Sequence, residues 1–384
     1  MTNKLLKVGV LGLGNGGGNV ANLASIEGFD AIAVNGSQKD LDRLGDNVTK
    51  FPIGDGKGTG KNREEAKEFL NHHIGILEDA KFQEFLNSND VIVVVTSTGG
   101  GFGSGASILM CQKIHEKYPN KCIIPCGIFP FDSEGYTAQE HSIEWLKELK
   151  ECEEFGYMYY DNNRFAQYPP KDVCEKINNE ILDALRIFRG DFTLEDHTGG
   201  IDERDMLTAL SVPGRIVAYY RDIEEADIIE GSLVKTMLES IKEDSGNAEL
   251  VDDKQIMASA FQYCLHPQFL KYVPAIKDDM QNMAGNHLND YANYSDIDET
   301  DYNTQDGIAI IMSGLTDPAL RIDRMINRRD KMAQDITTRK ATSSKLDSTN
   351  VGDSKLRLGA KSFATGINTP KKVAIPTMPQ KETK

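Results

Sequence analysis

Residues 96–107, TSTGGGFGSGAS, set five glycines among the seven positions 99–105, directly after the apolar run VIVVV at 91–95. Glycine admits backbone conformations with φ > 0 and lets several N–H groups approach one ligand closely. N–H groups converging in this way at the start of a helix hold phosphate. A second glycine run, GLGNGGGN at 12–19, contains Gly12, Gly14 and Gly17 in the GxGxxG spacing. A dinucleotide fold also needs an acidic residue at the end of the following strand to take the ribose. That strand, DAIAVN, ends in Asn35, which weakens the NAD reading. A third run, GDGKGTGKN at 54–62, has Asp55 and Asn62 where a Walker loop requires Gly and Ser or Thr, so Walker-type phosphate binding is excluded.

These loops need a scaffold that brings them to one edge. The segments KVGVLGL, DAIAVN, DVIVVVTS and KCIIPCGIF read as buried strands, each separated from the next by helical pattern, with the first helix expected from about Asn19. Continuous apolar strands alternating with helices imply an α/β fold with a parallel, doubly wound sheet, its ligands at the carboxyl ends of the strands. Further on, DVCEKINNEILDALRIF places Val173, Ile177, Ile181, Leu185 and Phe188 on one helical face, with Asp172 as the expected N-cap. GIAIIMSG reads as a strand. From Thr316 a long helix is expected, Pro318 in its first turn and Ile322, Met325, Ile326, Ala333 and Ile336 forming its stripe.

The 384 residues, 39% apolar and 27% charged, suffice for about two domains with a real core. Six cysteines at 111, 122, 126, 152, 174 and 264 lack CxxC units and histidines at metal spacing, and read as reduced core thiols. The N-terminal apolar run is too short for a signal peptide and no stretch reaches membrane-span length, so a cytoplasmic protein without a membrane partner is expected. The net charge of −16 is uneven: from Arg339 onward ten basic residues face only Asp347, Asp353 and Glu382. The acidic body argues against direct contact with nucleic acid, whereas the basic tail suits an acidic partner. Beyond Lys340 the composition of Ser, Thr, Gly, Lys and Pro points to disorder.

Taken together, GLGNGGGN, TGGGFGSGA and PFDSEG resemble, in order and spacing, the phosphate- and ribose-binding loops of the tubulin/FtsZ superfamily, whose signature is GGGTGSG or GGGTGTG. Phe102 stands where the signature has Thr. The resemblance covers residues 5–215 and, more faintly, continues to 340. It implies a GTP-binding domain (1–171), a central helix and approach to a catalytic loop (172–198), a smaller α+β activation domain (199–315), a C-terminal helix (316–340) and a tail (341–384). It also implies GTP/GDP and Mg2+ as cofactors. On this alignment Gly14, Asn15, Gly16 and Gly17 approach the phosphates, and Gly99, Gly100, Gly101, Phe102, Gly103 and Ser104 wrap them. Asn35 joins the binding set and Glu134 meets the ribose hydroxyls. The family's basic residue four places later is Ala138 here. Asn162, with Asn178 or Asn179, faces guanine, whose carbonyl and ring N–H an amide can read together.

In tubulins and FtsZ the catalytic acids come from the next subunit, through a loop of pattern NxDxxD or NxDxxE. GIDERD matches with Asp202 and Asp205, Gly200 replacing Asn. Read alone, DxxD is a helix cap. On the alignment, the pair orients water at a neighbour's terminal phosphate. A divided site implies a head-to-tail filament of the chain with itself. Without an FtsZ-type adaptor peptide or an acidic tubulin tail, the basic C-terminus most resembles the TubZ branch, which moves plasmid or phage DNA. The expected partner is then a DNA-binding adaptor protein on the tail, with DNA held only indirectly. The alternatives are a filament that centres phage DNA and, from another class, a Rossmann-type NAD enzyme.

Overall fold

A computed structural model describes residues 6–191, 202–223, 226, 233–248, 258–272, 274, 289–296 and 306–348. The chain divides into two compact units, Met1–Ile336 and Thr337–Lys384. The first is built on one ten-stranded sheet in the order β3-β2-β1-β4-β5-β6-β7-β10-β8-β9. The strands are β1 (Val8–Leu13), β2 (Asp30–Asn35), β3 (Thr49–Pro52), β4 (Val91–Ser97), β5 (Cys122–Phe129), β6 (Gly156–Asp161), β7 (Gly214–Asp222), β8 (Ala258–Leu265), β9 (Asn289–Asp296) and β10 (Gly307–Leu315). From β3 across to β7 all neighbours run parallel; β10 then lies antiparallel to both β7 and β8.

The apolar runs predicted as strands serve two faces at once. Val91, Val93 and Val95 of β4 enter a core layer with helices α1 (Gly14–Ile26) and α7 (Pro170–Arg189). Ile92 and Val94 enter the opposite layer with α5 (Phe102–Lys117) and α6 (Tyr136–Lys150). Successive side chains of a strand point to opposite faces, so a strand covered on both sides is apolar at every position. Strand order reverses between β1 and β4, and such a switch point opens a crevice at the carboxyl ends of the strands.

Between these elements lie α2 (Gln38–Leu41), α3 (Arg63–His72) and α4 (Ala80–Ser88), followed after α7 by α8 (Glu203–Leu210), α9 (Leu233–Glu243) and α10 (Ala319–Ser348). Three expected boundaries need correction. The first helix begins at Gly14, not near Asn19, because glycines that read as a loop are held helical by packing on β4. The central helix begins at Pro170 with Pro169 as N-cap, and Asp172 lies in its first turn. Proline at the first helical position loses no hydrogen bond. The C-terminal helix continues past Lys340 to Ser348, so 341–348 are helical rather than disordered; the rest of the tail lies outside the described residues. The α7 stripe from Val173 to Phe188 is buried as expected. Cys111, Cys122, Cys126, Cys152 and Cys174 are free thiols. Among the described residues no helix is long and apolar enough to cross a membrane.

One buried carboxylate ties α7 to the segment after α9. Glu180 accepts the Gly246 N–H at 2.7 Å and the Ser245 hydroxyl at 3.1 Å. Burial, the largest cause, pushes its pKa up from 4.5 to about 7 despite those donors. The folded state therefore keeps a proton that the unfolded chain releases, and stability falls as pH rises from about 4.5 through about 7. Glu180→Gln is expected to flatten that decline, making the variant more stable than the parent at pH 8 by roughly 2–3 kcal/mol. Thermal unfolding at pH 5 and pH 8 checks this; an unchanged pH dependence in the variant would show that Glu180 ionises without cost.

Candidate functional site

A crevice of about 530 Å³ opens at the β1/β4 switch point. Its floor is made of the two glycine runs. Gly14 follows β1 at φ +71°, and Asn15 and Gly16 line the crevice beside it. After β4, Gly99, Gly100, Gly101, Phe102 and Gly103 line the facing wall where α5 begins. Space for side chains is absent here. A Cβ on Gly103 would stand 2.2 Å from the Thr96 hydroxyl and 2.4 Å from the Leu13 carbonyl oxygen. One on Gly16 would meet the Ser97 hydroxyl at 1.9 Å. The helix start thus lies against bare backbone and lines the crevice, and the first N–H groups of a helix have no partner within it, an arrangement suited to an anion.

The loop's orientation is fixed from behind. His141 Nδ1 lies 2.6 Å from the Gly100 carbonyl oxygen. Burial, the first cause, lowers the His141 pKa, with the Arg63 charge adding to it. The ring is then neutral at neutral pH and donates Nδ1–H to that carbonyl. Arg63, itself buried, donates to the Ser104 hydroxyl at 2.6 Å and carbonyl at 2.8 Å and to the His141 carbonyl at 3.1 Å. Its remaining nitrogens pair with Glu144 at 3.1 Å and Glu148 at 2.6 Å. The Ser104 side chain is therefore committed to Arg63 and does not line the crevice. Gly17 also stands behind the lining: its Cβ would fall 2.0 Å from the Val95 carbonyl oxygen, so its part is close packing of α1 on β4.

At the other end of the crevice Glu134, Asn162 and Cys174 line the wall. Glu134 accepts the Phe131 N–H at 2.9 Å, which holds the carboxylate at the turn before α6. Asn162 follows β6 directly. Asn178 lies one helical turn after Cys174 on α7 and Asn179 is exposed; neither lines the crevice. Asn35, buried at the end of β2, lines it while accepting the Ser37 N–H at 3.1 Å.

Sequence reasoning missed one wall. Lys57, Gly58, Thr59, Gly60 and Lys61 line the crevice, although they belong to the run rejected as a Walker loop. The rejection holds for that motif, because no helix cradles phosphate directly after Lys61; α3 starts at Arg63 behind an Asn62 cap. The signal was the alternation of glycines, four of which adopt positive φ at 54, 56, 58 and 60.

Asp202 and Asp205 lie elsewhere. They form a capping box at the start of α8: Asp202 Oδ1 accepts the Asp205 N–H at 2.8 Å, and Asp205 Oδ2 accepts the Asp202 N–H at 3.3 Å. Asp202 is exposed and neither residue lines the crevice. Among the described residues no group of three or more His, Cys, Asp or Glu side chains could hold a metal ion.

Residues 7–169 match the GTPase domain of the tubulin/FtsZ family. The tubulin-like protein TubZ of a Clostridium botulinum C phage is 26% identical over 237 residues, 60% of this chain and 63% of that protein. The tubulin-like protein CetZ of Methanothrix thermoacetophila is 31% identical over 179 residues, covering 44% of this chain and 48% of its own. The chain therefore spans less than two thirds of the length of either curated relative. Among solved structures, a GTPγS-form protofilament of TubZ from Bacillus thuringiensis serovar israelensis superposes with a TM-score of 0.71 at 17% identity, over 89% of this chain and 95% of that one.

Since a Cβ does not fit at position 103, Gly103→Ala is expected to lower nucleotide affinity by at least about 100-fold, whereas Gly135→Ala, with nothing within 4 Å of the added carbon, leaves affinity unchanged. Calorimetric titration of both variants with GDP checks the pair. Equal affinities would remove the loop from the binding site.

Proposed function

We propose that this chain, whose residues 7–169 are a tubulin/FtsZ-family GTPase domain, binds GTP in the β1/β4 crevice, assembles head to tail, and hydrolyses GTP where one subunit's Asp202 and Asp205 meet the next subunit's nucleotide. The observation that carries this reading is the separation of parts. Among the described residues the crevice lining holds glycine-loop donors for phosphates and two acids on different elements, Asp40 on α2 and Glu134 before α6, whereas the Asp202–Asp205 pair stands on the exposed start of α8, outside the crevice. A site completed only by a second copy makes hydrolysis depend on assembly. The TubZ neighbour from Bacillus thuringiensis was solved as a GTPγS-form protofilament, which supports both the nucleotide and the self-association.

In that scheme the phosphates lie against Gly14–Gly16 and Gly99–Gly103, with Gly17 and Ser104 holding the loops from behind. Glu134 takes the ribose, and Asn162 with Asn178 or Asn179 takes the base. Phosphoryl transfer rests on positioning and electrostatics rather than covalent catalysis. Each acid spends one oxygen on the capping box, and its second oxygen is available to orient water in line with the terminal phosphate. Mg2+, for which the described residues offer no acidic cluster, would be held mainly by phosphate oxygens and water.

The finer assignment is to the movement of plasmid or phage DNA. Its supports are the relative named TubZ from a phage and the ten basic residues from Arg339 onward, which suit an adaptor protein on DNA. Direct DNA binding by the filament body is disfavoured by its negative charge, although screening over about 8 Å frees the tail from that field.

Asp205→Asn keeps an oxygen for the cap, so it is expected to preserve the helix and GTP binding while slowing hydrolysis by about 100-fold or more, and filaments persist. Rates measured per subunit against protein concentration test the shared site, since a rate independent of concentration contradicts it. Truncation after Lys340 is expected to leave filaments and GTPase activity intact and to abolish co-pelleting of the adaptor–DNA complex. Unchanged co-pelleting would return the tail to a solvating role.

A further inference from the structure

Arg321, in the first turn of α10, has no exposure to solvent, and its partners lie 160 to 191 residues away along the chain. Its guanidinium reaches two turns at once. Nη1 donates to Asp132 at 2.8 Å and Nη2 to the Pro130 carbonyl at 2.6 Å, both in the turn after β5, while Nε donates to Asp161, the last residue of β6, at 2.7 Å. Asn163 joins the same two turns a second time. Its N–H donates to Asp161 Oδ1 at 3.0 Å, its Nδ2 donates to Asp132 Oδ2 at 3.1 Å, and its Oδ1 accepts the Asp132 N–H at 3.2 Å. A planar fork of donors holds several acceptors in one fixed geometry, which a single ammonium does not.

The turn after β5 carries Glu134, which lines the crevice. This turn closes on itself. The Glu134 N–H donates to the Phe131 carbonyl at 3.0 Å, the Phe131 N–H donates to Glu134 Oε1 at 2.9 Å, and Gln139 Nε2, from α6, donates to the Phe131 carbonyl at 2.8 Å. Glu134 Oε2 has no hydrogen bond among the described residues. With one oxygen held by its own turn, the carboxylate moves with that turn, and where its second oxygen points is set by where the turn sits. Two of the three Arg321 contacts, Asp132 and Pro130, belong to that turn, and the third ties it to β6.

We propose that Arg321 is a positioning residue for ribose recognition: it holds the Glu134 turn against the end of β6, so that the second oxygen of Glu134 meets the ribose hydroxyls of the bound nucleotide. This rests on the nucleotide reading of the crevice, in which Glu134 takes the ribose. Arg321 acts only through the turn. A hydroxyl donating to a carboxylate makes a charge-assisted bond, and that bond weakens steeply as distance and angle leave the optimum. A displaced turn therefore costs a ribonucleotide its hydroxyl contacts and costs little to a nucleotide that lacks those hydroxyls. General destabilisation of the fold weakens both alike.

The test measures equilibrium binding of GTP and of 2′,3′-dideoxy-GTP to the full chain, below the onset of assembly, for the parent, Arg321→Lys, Asp132→Asn and Arg324→Met. Arg321→Lys keeps the buried charge without the fork. Asp132→Asn leaves the buried Arg321–Asp161 pair in place, so it carries the test if Arg321→Lys does not fold. Arg324, half-exposed and 3.6 Å from Asp132, is the control for charge without placement. The parent is expected to prefer GTP. Arg321→Lys should weaken GTP binding about tenfold and Asp132→Asn about threefold, with the dideoxy nucleotide changed less than about twofold in both and Arg324→Met matching the parent. Equal losses for the two nucleotides in variants that still unfold cooperatively, no loss, or the same loss in Arg324→Met overturn the assignment and leave the nucleotide site in place. A parent that binds both nucleotides equally overturns the ribose role of Glu134 and Arg321 with it, and a parent that binds neither overturns the nucleotide reading.

Discussion

Two helix starts share one spot because neither leaves room for a side chain. The helix after β1 leans on β4, where Gly17 lies against the Val95 carbonyl. The helix after β4 leans back on β1, where Gly103 lies against the Leu13 carbonyl. Each helix crosses toward the other's strand, and Gly14 comes so near Gly103 that a Cβ on it would lie 2.9 Å from the Gly103 nitrogen. Interleaving on this scale is possible only with bare backbone. Its consequence is electrostatic: two sets of unsatisfied N–H groups and two positive helix ends converge on one volume, which no single helix could supply. Even the buried machinery around it serves this convergence, His141 turning the Gly100 carbonyl away and Arg63 anchoring Ser104 from outside.

A second buried interaction extends the constraint to the far end of the chain. Arg321, in the first turn of α10, is fully buried and donates to Asp161 at 2.7 Å, Asp132 at 2.8 Å and the Pro130 carbonyl at 2.6 Å. Asp132 and Asp161 sit beside Glu134 and Asn162, which line the crevice after β5 and β6. Asn163 bridges the same two segments, reaching Asp132 at 3.1 Å. A buried guanidinium adds little net stability against its desolvation cost, but removing one partner strands a charge at a cost of about 3–5 kcal/mol. What the cluster supplies is placement. The turns after β5 and β6 are held at a fixed separation by Arg321, so this end of the crevice and the first turn of α10 are one mechanical element.

How much of this was legible follows from the range of each signal. Strands buried on both faces announce themselves locally, because every position must be apolar, and β1, β2, β4 and β5 were readable for that reason. Glycine runs were readable as ligand loops but misleading as boundaries. Gly14–Gly18 are helical, with Gly16 and Gly17 packed on β4, a contact that no local pattern reports. The run at 54–62 failed a test for one phosphate-binding geometry and was set aside, yet it reaches the crevice in another. Arg63 and His141 could not be found at all, since their partners lie up to 78 residues away in sequence. Ser104, read among the residues that wrap the phosphates, has a hydroxyl that accepts from the buried Arg63, a partner 41 residues away that no local pattern reports.

In the proposed scheme the acidic pair at α8 combines a structural and a chemical role in the same side chains, one oxygen for each. A capping box needs one oxygen from each side chain and fixes both carboxylates relative to the helix. Fixed carboxylates are what positioning of water requires, because a freely rotating acid must lose rotamer entropy at the moment of reaction. The cap is therefore not an alternative to the proposed trans catalysis but a means of preorganising it. It also explains why the motif is weak evidence by itself: every acidic capping box presents the same spare oxygens, and only an apposed phosphate distinguishes one that acts from one that merely ends a helix.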